Sequence, residues 1–257
     1  MQAAALASGS SGNCFFIGSG KTSFLVDAGI SSKQICLRLN SLNKDPSELK
    51  GIFISHEHSD HIKGVDVLSR KHSIPIYLTK ECYDSCFITK GKDLINFIKK
   101  KSSLKINGIK INSFSKYHDA AEPISFSVTA KNKKVSVMTD IGCCCKNVIS
   151  NLKTSNMVFL ESNYDIDMLE NGPYPYFLKK RIASDYGHLS NYTAALLILE
   201  HASSKLKNVV LSHLSENNNT EELALKTMKG LVYTRKDLKN LKISVSGRNK
   251  ATELISI

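Results

Sequence analysis

The chain is short of several things, and each shortage removes a class of protein. Its 257 residues contain no run of eighteen or more apolar residues, so no segment can cross a bilayer as a helix. The opening MQAAALASGSSGN lacks the basic start and long apolar middle of a secretory signal, which makes the cytoplasm the expected location, with no membrane partner. The seven cysteines, at 14, 36, 82, 86, 143, 144 and 145, are odd in number and show no paired CxxC spacing. That argues against a disulfide framework and against a cysteine zinc cluster. Small apolar packing is the expected role even for the run Cys143, Cys144, Cys145, since thiolate ligation needs a closed set of four ligands. There is neither an internal repeat nor a low-complexity linker, and the expectation is a single domain over residues 1–257.

Acids are outnumbered: 35 Lys and Arg against 23 Asp and Glu leave a formal charge of +12. Such an excess favours a polyanionic partner through counterion release. Thirty of the 35 are lysine and asparagine is abundant, a joint bias that an AT-rich genome produces unaided, so the charge by itself carries little.

What is present is ordinary globular material, 42% apolar and 23% charged. Apolar runs that read as strands lie at 24–29, 51–55, 74–78, 109–114, 124–130, 134–140, 157–162 and 208–213, several of them continuous, as suits strands covered on both faces. Helical spacing appears from Lys33 to Leu42, Val65 to His72, Tyr176 to Ala183, Tyr192 to His201 and Thr220 to Leu231, with Asn219 or Thr220 as the cap of the last. The lysine-rich segment 90–108 reads as a helix with a flexible turn on a solvated face. Strands mixed with helices indicate an α/β or α+β fold.

The chemistry concentrates in ISHEHSDHIKG, residues 54–64. In extended backbone alternate side chains point the same way, so His56 and His58 converge beyond the strand at 51–55, while Asp60 and His61 follow where the chain turns into a helix. Two pairs imply two divalent cations. Imidazole nitrogen with carboxylate oxygen suits zinc, manganese or iron, and two ions about 3.5–4 Å apart can share a hydroxide. Further ligands are expected at other strand ends, where His118, Asp140 and His213 stand. Crowding so many polar groups without a metal would be strongly unfavourable. Glu57 is expected to point away from the metals.

SHEHSDH resembles the HxHxDH signature of the metallo-β-lactamase fold, and His118, Asp140 and His213 follow in the order that superfamily uses. The resemblance implies a four-layer αββα sandwich, with His56, His58 and His118 on one metal, Asp60, His61 and His213 on the other, and Asp140 bridging. The cofactors it implies are two zinc or manganese ions. The stretches ALASGSSGNCFFI, VDAG, KYHDAAEPISF, TDIG, ESNYD, YPYFLKKRI, GHLSN and LSHLSENNN are similar to the YycJ/WalJ group, from residue 5 to about 230. That similarity implies a nuclease, with 5′-to-3′ exonuclease action on single-stranded DNA, using a metal-bridging hydroxide.

His188 in GHLSN is similar to the accessory histidine of ribonuclease Z, which is aimed at phosphate and leaving group; together with Asp60 it is the expected catalytic residue. Ser190, Asn191 and Asn163 are candidates for touching substrate, Glu161 for orienting ligands, and Lys179 and Arg181 for meeting a nucleic-acid backbone. Two other classes fit the same ligands: a small-molecule ester or thioester hydrolase, which leaves His188 and the basic surface unexplained, and a noncatalytic metal-binding module, against which the complete ligand set counts.

Overall fold

The computed structural model describes residues 1–86, 88 and 92–257, which form two compact units: Met1–Ser115 with Ala120–Lys133 and Gly247–Ile257, and Lys116–Asp119 with Lys134–Ser246. The first unit holds strands β1 (Gln2–Ala7), β2 (Cys14–Ser19), β3 (Thr22–Val26), β4 (Leu49–Phe53), β5 (Ile76–Leu78), β6 (Ile95–Phe97), β7 (Ser103–Ile106), β8 (Ile109–Ser115) and β9 (Ile124–Ala130). Its helices are α1 (Ser32–Ser41), α2 (Ser59–Ile62), α3 (Val65–His72) and α4 (Lys80–Asp84). In the second unit come β10 (Lys133–Met138), β11 (Met157–Glu161), β12 (Asn208–Ser212) and β13 (Lys242–Val245), with α5 (Lys146–Thr154), α6 (Ile166–Asn171), α7 (Tyr176–Ile182), α8 (Asn191–His201) and α9 (Glu221–Val232). The chain then returns to the first unit for β14 (Ile255–Ser256). The α/β class expected from the sequence is observed.

In the first unit the order is β14-β1-β2-β3-β4-β5-β6, antiparallel from β14 to β3 and parallel from β3 to β6. β1 is missing from the sequence reading because its alanines carry no strand preference; burial on both faces puts it in the sheet. Ile35 and Leu39 of α1 and Val65 and Leu68 of α3 pack on Leu25, Ile52 and Ile76 in one apolar cluster. Phe53 at the end of β4 is held by three rings: stacked on Tyr77 at 4.6 Å and edge-on to Phe126 and Phe24 at 5.4 and 5.7 Å. Burying a phenylalanine with such partners stabilises by about 3–5 kcal/mol relative to alanine, and it fixes where the following loop begins.

The helix expected over 90–108 is not found: the described part forms β6 and β7, while Lys90 and Gly91 lie outside the described residues. Ile98 enters the core with its N–H on the Leu78 carbonyl, and Ser103–Ile106 alternates in exposure against β8, so a period of two prevails over the lysines' helix preference.

The second unit's strands are all parallel, with Met138 level with Leu160 and Leu160 with Leu211. α8 and α9 bury Ala194, Ala195, Ile198, Ala224, Met228 and Val232. Thr220, rather than Asn219, caps α9, accepting the Leu223 N–H at 3.1 Å.

Behind β3 the chain passes so close to the turn at residue 60 that a Cβ on Gly29 would lie 1.6 Å from the Asp60 carbonyl oxygen. The Gly29 N–H donates to Asn13 O at 2.7 Å, Asn13 N–H to Asp60 O at 2.7 Å and Ala28 N–H to His61 O at 2.9 Å, so the loop cannot retreat without losing bonds. Gly29→Ala should therefore destabilise the protein by about 1–3 kcal/mol or more and release bound metal; urea unfolding and metal analysis of the purified variant check both, and a wild-type midpoint would refute the close-contact argument.

Candidate metal centre

In the first unit the HEHSDH segment leaves β4 and enters α2, which begins at Ser59 with His58 as its cap residue. His56 Nε2 and His58 Nδ1 stand 3.2 Å apart, and Asp60 Oδ2 and His61 Nε2 stand 3.3 Å apart. The opposite edges of the rings are fixed. Asp27, just past β3 at φ +60°, is fully buried and meets His61 Nδ1 at 2.8 Å while accepting the Ser55 N–H at 2.8 Å and the Ser55 hydroxyl at 2.9 Å. Because Ser55 spends its one proton on Asp27, its oxygen accepts from His56 Nδ1 at 2.8 Å. His56 and His61 thus carry protons on Nδ1 and turn Nε2 toward their partners. Asn13 donates its amide to Asp60 Oδ2 at 3.1 Å and lies 3.2 Å from His61 Nε2. Glu57 turns aside and accepts the Ala121 N–H at 2.8 Å.

The second unit uses the same device. Its parallel register places Ser162 and His213 one residue beyond the paired ends of β11 and β12, and Asp140 two residues beyond the end of β10. Asp140 and His213 take φ of +55° and +56° there, which turns their side chains out of the strand course. Glu161, fully buried, accepts four donors: His188 Nδ1 at 2.7 Å, His213 Nδ1 at 2.9 Å, and the N–H groups of Ile141 and Leu189 at 2.6 and 3.3 Å. Burial alone would raise its carboxyl; the charge and hydrogen bonds of His188 and His213 outweigh that and hold it down at about 2. His118 donates Nδ1–H to the Gly187 carbonyl at 3.1 Å and brings Nε2 to 3.6 Å from Asp140 Oδ1. Burial lowers its pKa to about 3, against the opposing pull of Asp140, so it is neutral at pH 7, the form that ligates. Asp140, Glu161, His188 and His213 each bring one ligating atom within 4.8 Å of the others'.

These donor sets fit divalent metal. A tetrahedral ion with bonds of about 2.0–2.1 Å places neighbouring ligand atoms about 3.3–3.4 Å apart. The His56–His58 and Asp60–His61 pairs stand at 3.2 and 3.3 Å, and four histidines have Nδ1 engaged by a carboxylate, a hydroxyl or a carbonyl. Glu161 is excluded as a ligand because both of its oxygens are occupied by donors. Asp27 was not anticipated as an orienting acid; its role shows only in the bond it makes to His61 across 34 positions.

Asn163, Ser190 and Asn191, expected to touch substrate, are buried and engaged within the protein. Asn163 donates to the His213 carbonyl at 2.7 Å, Ser190 caps α8 by accepting the Thr193 N–H at 3.0 Å, and Asn191 is bonded to Ser162 and Asn219. Their polar groups hold the strand ends and the His188 loop. Lys179 reaches the Glu170 carbonyl at 2.7 Å, and Arg181 pairs with Asp119 at 2.8 Å, both exposed. Cys143, Cys144 and Cys145 are half-buried before α5, and among the described residues no cysteine joins a ligating cluster.

Comparison with known proteins agrees with this geometry. Residues 7–84 match the model of the metallo-beta-lactamase superfamily. The chain is 37% identical to exodeoxyribonuclease YycJ of Bacillus anthracis over 222 residues, 85% of this chain and 84% of that protein. It is also 37% identical to exodeoxyribonuclease WalJ of Streptococcus pneumoniae serotype 2 (strain D39 / NCTC 7466), over 87% and 85%. Among solved structures, the metallo-beta-lactamase fold protein YhfI of Bacillus subtilis superposes with a TM-score of 0.74 at 15% identity, over 98% of each chain. The chain is a metal-dependent hydrolase of the metallo-β-lactamase superfamily, and within it belongs to the YycJ/WalJ exodeoxyribonuclease family.

Proposed function

We propose that residues 1–257 work as one metallo-β-lactamase-fold domain that removes nucleotides from the 5′ end of single-stranded DNA. In this reading His56, His58 and His118 hold one zinc or manganese ion, Asp60, His61 and His213 hold a second, and Asp140 serves both. The related proteins named exodeoxyribonuclease support the substrate class. The observation that carries the chemistry is the Glu161 carboxylate, which binds a proposed ligand, His213, and a histidine outside the ligand set, His188, at 2.9 and 2.7 Å. A second imidazole anchored beside a ligand through Nδ1 keeps Nε2 for a reacting oxygen.

When bound, the two cations supply a hydroxide at neutral pH and neutralise charge on the phosphoryl oxygens. Asp60, held by the Asn13 amide, orients the attacking oxygen as well as ligating. His188 gives its Nε2 proton to the leaving oxygen, and Glu161 stabilises the imidazolium form from which that proton is given. A thioester expels a thiolate that needs no proton, so thioester hydrolysis would leave this arrangement without work.

The direct test is purified protein with Mn²⁺ or Zn²⁺ on single-stranded DNA labelled at either end, which should release mononucleotides from the 5′ end first; cleavage of esters or thioesters alone would overturn the reading. His188→Ala should retain both ions by metal analysis while kcat falls about 10²–10⁴-fold. Full activity in that variant, or lost metal, would remove His188 from the mechanism. His58→Ala should bind about one ion fewer and lose activity at least 10²-fold, with addition of excess Mn²⁺ restoring little.

A further inference from the structure

α7 is a seven-residue helix with no buried residue, yet it carries Tyr176 and Phe177, 72% and 74% exposed, directly before Lys179, Lys180 and Arg181. Exposing two adjacent aromatic rings on a short, weakly packed helix has no stabilising effect on the fold, and Pro173 and Pro175 stiffen the approach to it. Between α6 and α7 lies a cavity of about 570 Å³ with Tyr164, Ile166 and Leu169 in its lining and Tyr176, Lys179 and Lys180 beside them. Glu170 is the acid of that lining, and two lysines outweigh it. Lys180 Nζ stands 5.1 Å from the centre of the Tyr176 ring and Lys179 Nζ is anchored on the Glu170 carbonyl, so ring and cations are arranged beforehand. The far end of α7 leads into the catalytic loop: the Ile182 carbonyl accepts the His188 N–H at 2.9 Å.

An apolar floor, one aromatic wall and a cationic rim answer the two halves of a nucleotide, a flat base and an anionic phosphate. A base can reach such a cavity only when it is unpaired. We infer that the cavity between α6 and α7 is a nucleotide subsite for single-stranded DNA, stacking an unpaired base on Tyr176 and holding the flanking phosphates with Lys179 and Lys180. The assignment rests on the nuclease reading above and gives it a reason for preferring single strands: the subsite takes an unpaired base on Tyr176, whose helix runs into the loop that carries His188, and a duplex offers no such base.

The test measures binding of a fluorescein-labelled, phosphorothioate-linked dT oligomer of about twenty nucleotides to the metal-loaded full chain, alongside turnover of bis(p-nitrophenyl) phosphate. Tyr176→Ala should weaken oligomer binding about tenfold and Tyr176→Phe less than about twofold, because stacking needs the ring and not the hydroxyl. Replacing Lys179 and Lys180 together by alanine should reduce the slope of log K against log salt by about 1.4. All three proteins should turn over the small diester like wild type. Wild-type binding by Tyr176→Ala, an unchanged salt slope, an equal loss of duplex affinity, or a parallel fall in small-diester turnover would each overturn the subsite. Wild-type protein that cleaves the small diester but does not bind the oligomer would sink the subsite and leave the phosphodiesterase; binding through Tyr176 without any diester cleavage would do the reverse.

Discussion

An imidazole inside a protein can serve as a metal ligand only if its two nitrogens are told apart, and in this chain that decision is made by buried oxygen acceptors. Asp27 and Ser55 settle it for His61 and His56, the Gly187 carbonyl for His118, and Glu161 for His213. Each acceptor takes the Nδ1 proton, so Nε2 is left basic and aimed, with the tautomer chosen before any cation arrives. Isolated buried carboxylates would cost several kcal/mol each. Asp27 and Glu161 are tolerated because backbone N–H groups, a hydroxyl and the histidines themselves surround them with donors.

The fold supplies these acceptors through parallel pairing. Asp27 follows β3 where its own N–H reaches the Phe53 carbonyl of β4 at 2.8 Å, so the acid and the start of the HEHSDH segment are set by one register. In the second unit β10, β11 and β12 end level with one another, and a slip of one residue would turn Asp140, Glu161 and His213 to the opposite faces of their strands. Positive φ at Asp27, Asp140 and His213 is strain placed at the three strand ends that carry the chemistry. Gly29, packed against the Asp60 carbonyl, shows how little room the arrangement leaves.

Much of this was legible in the sequence because ligands cluster where apolar runs stop. ISHEHSDH declared itself by density, and Asp140 and His213 by position just past the valine-bearing runs that the structure makes into β10 and β12. Less legible were residues whose importance lies in hydrogen bonding across sequence. Asp27 is 34 positions from His61, and nothing local in VDAG distinguishes an orienting acid from a turn. Asn163, Ser190 and Asn191 read as substrate contacts in the sequence because they are polar and lie near His188 or a strand end; in the fold Asn163 donates to the His213 carbonyl, Ser190 accepts the Thr193 N–H, and Asn191 bonds to Ser162 and Asn219. The 90–108 segment misled through composition, since lysine on the outer positions of edge strands obeys solvation and not helix preference.

Sharing Glu161 between His213 and His188 has a thermodynamic consequence. A single ionised carboxylate, held low against its burial by the two imidazoles that face it, cannot change its interaction with one histidine without changing its interaction with the other. A cation held by His213 would draw electron density from the ring, make its Nδ1–H a stronger donor to Glu161, and leave the carboxylate less able to stabilise positive charge on His188.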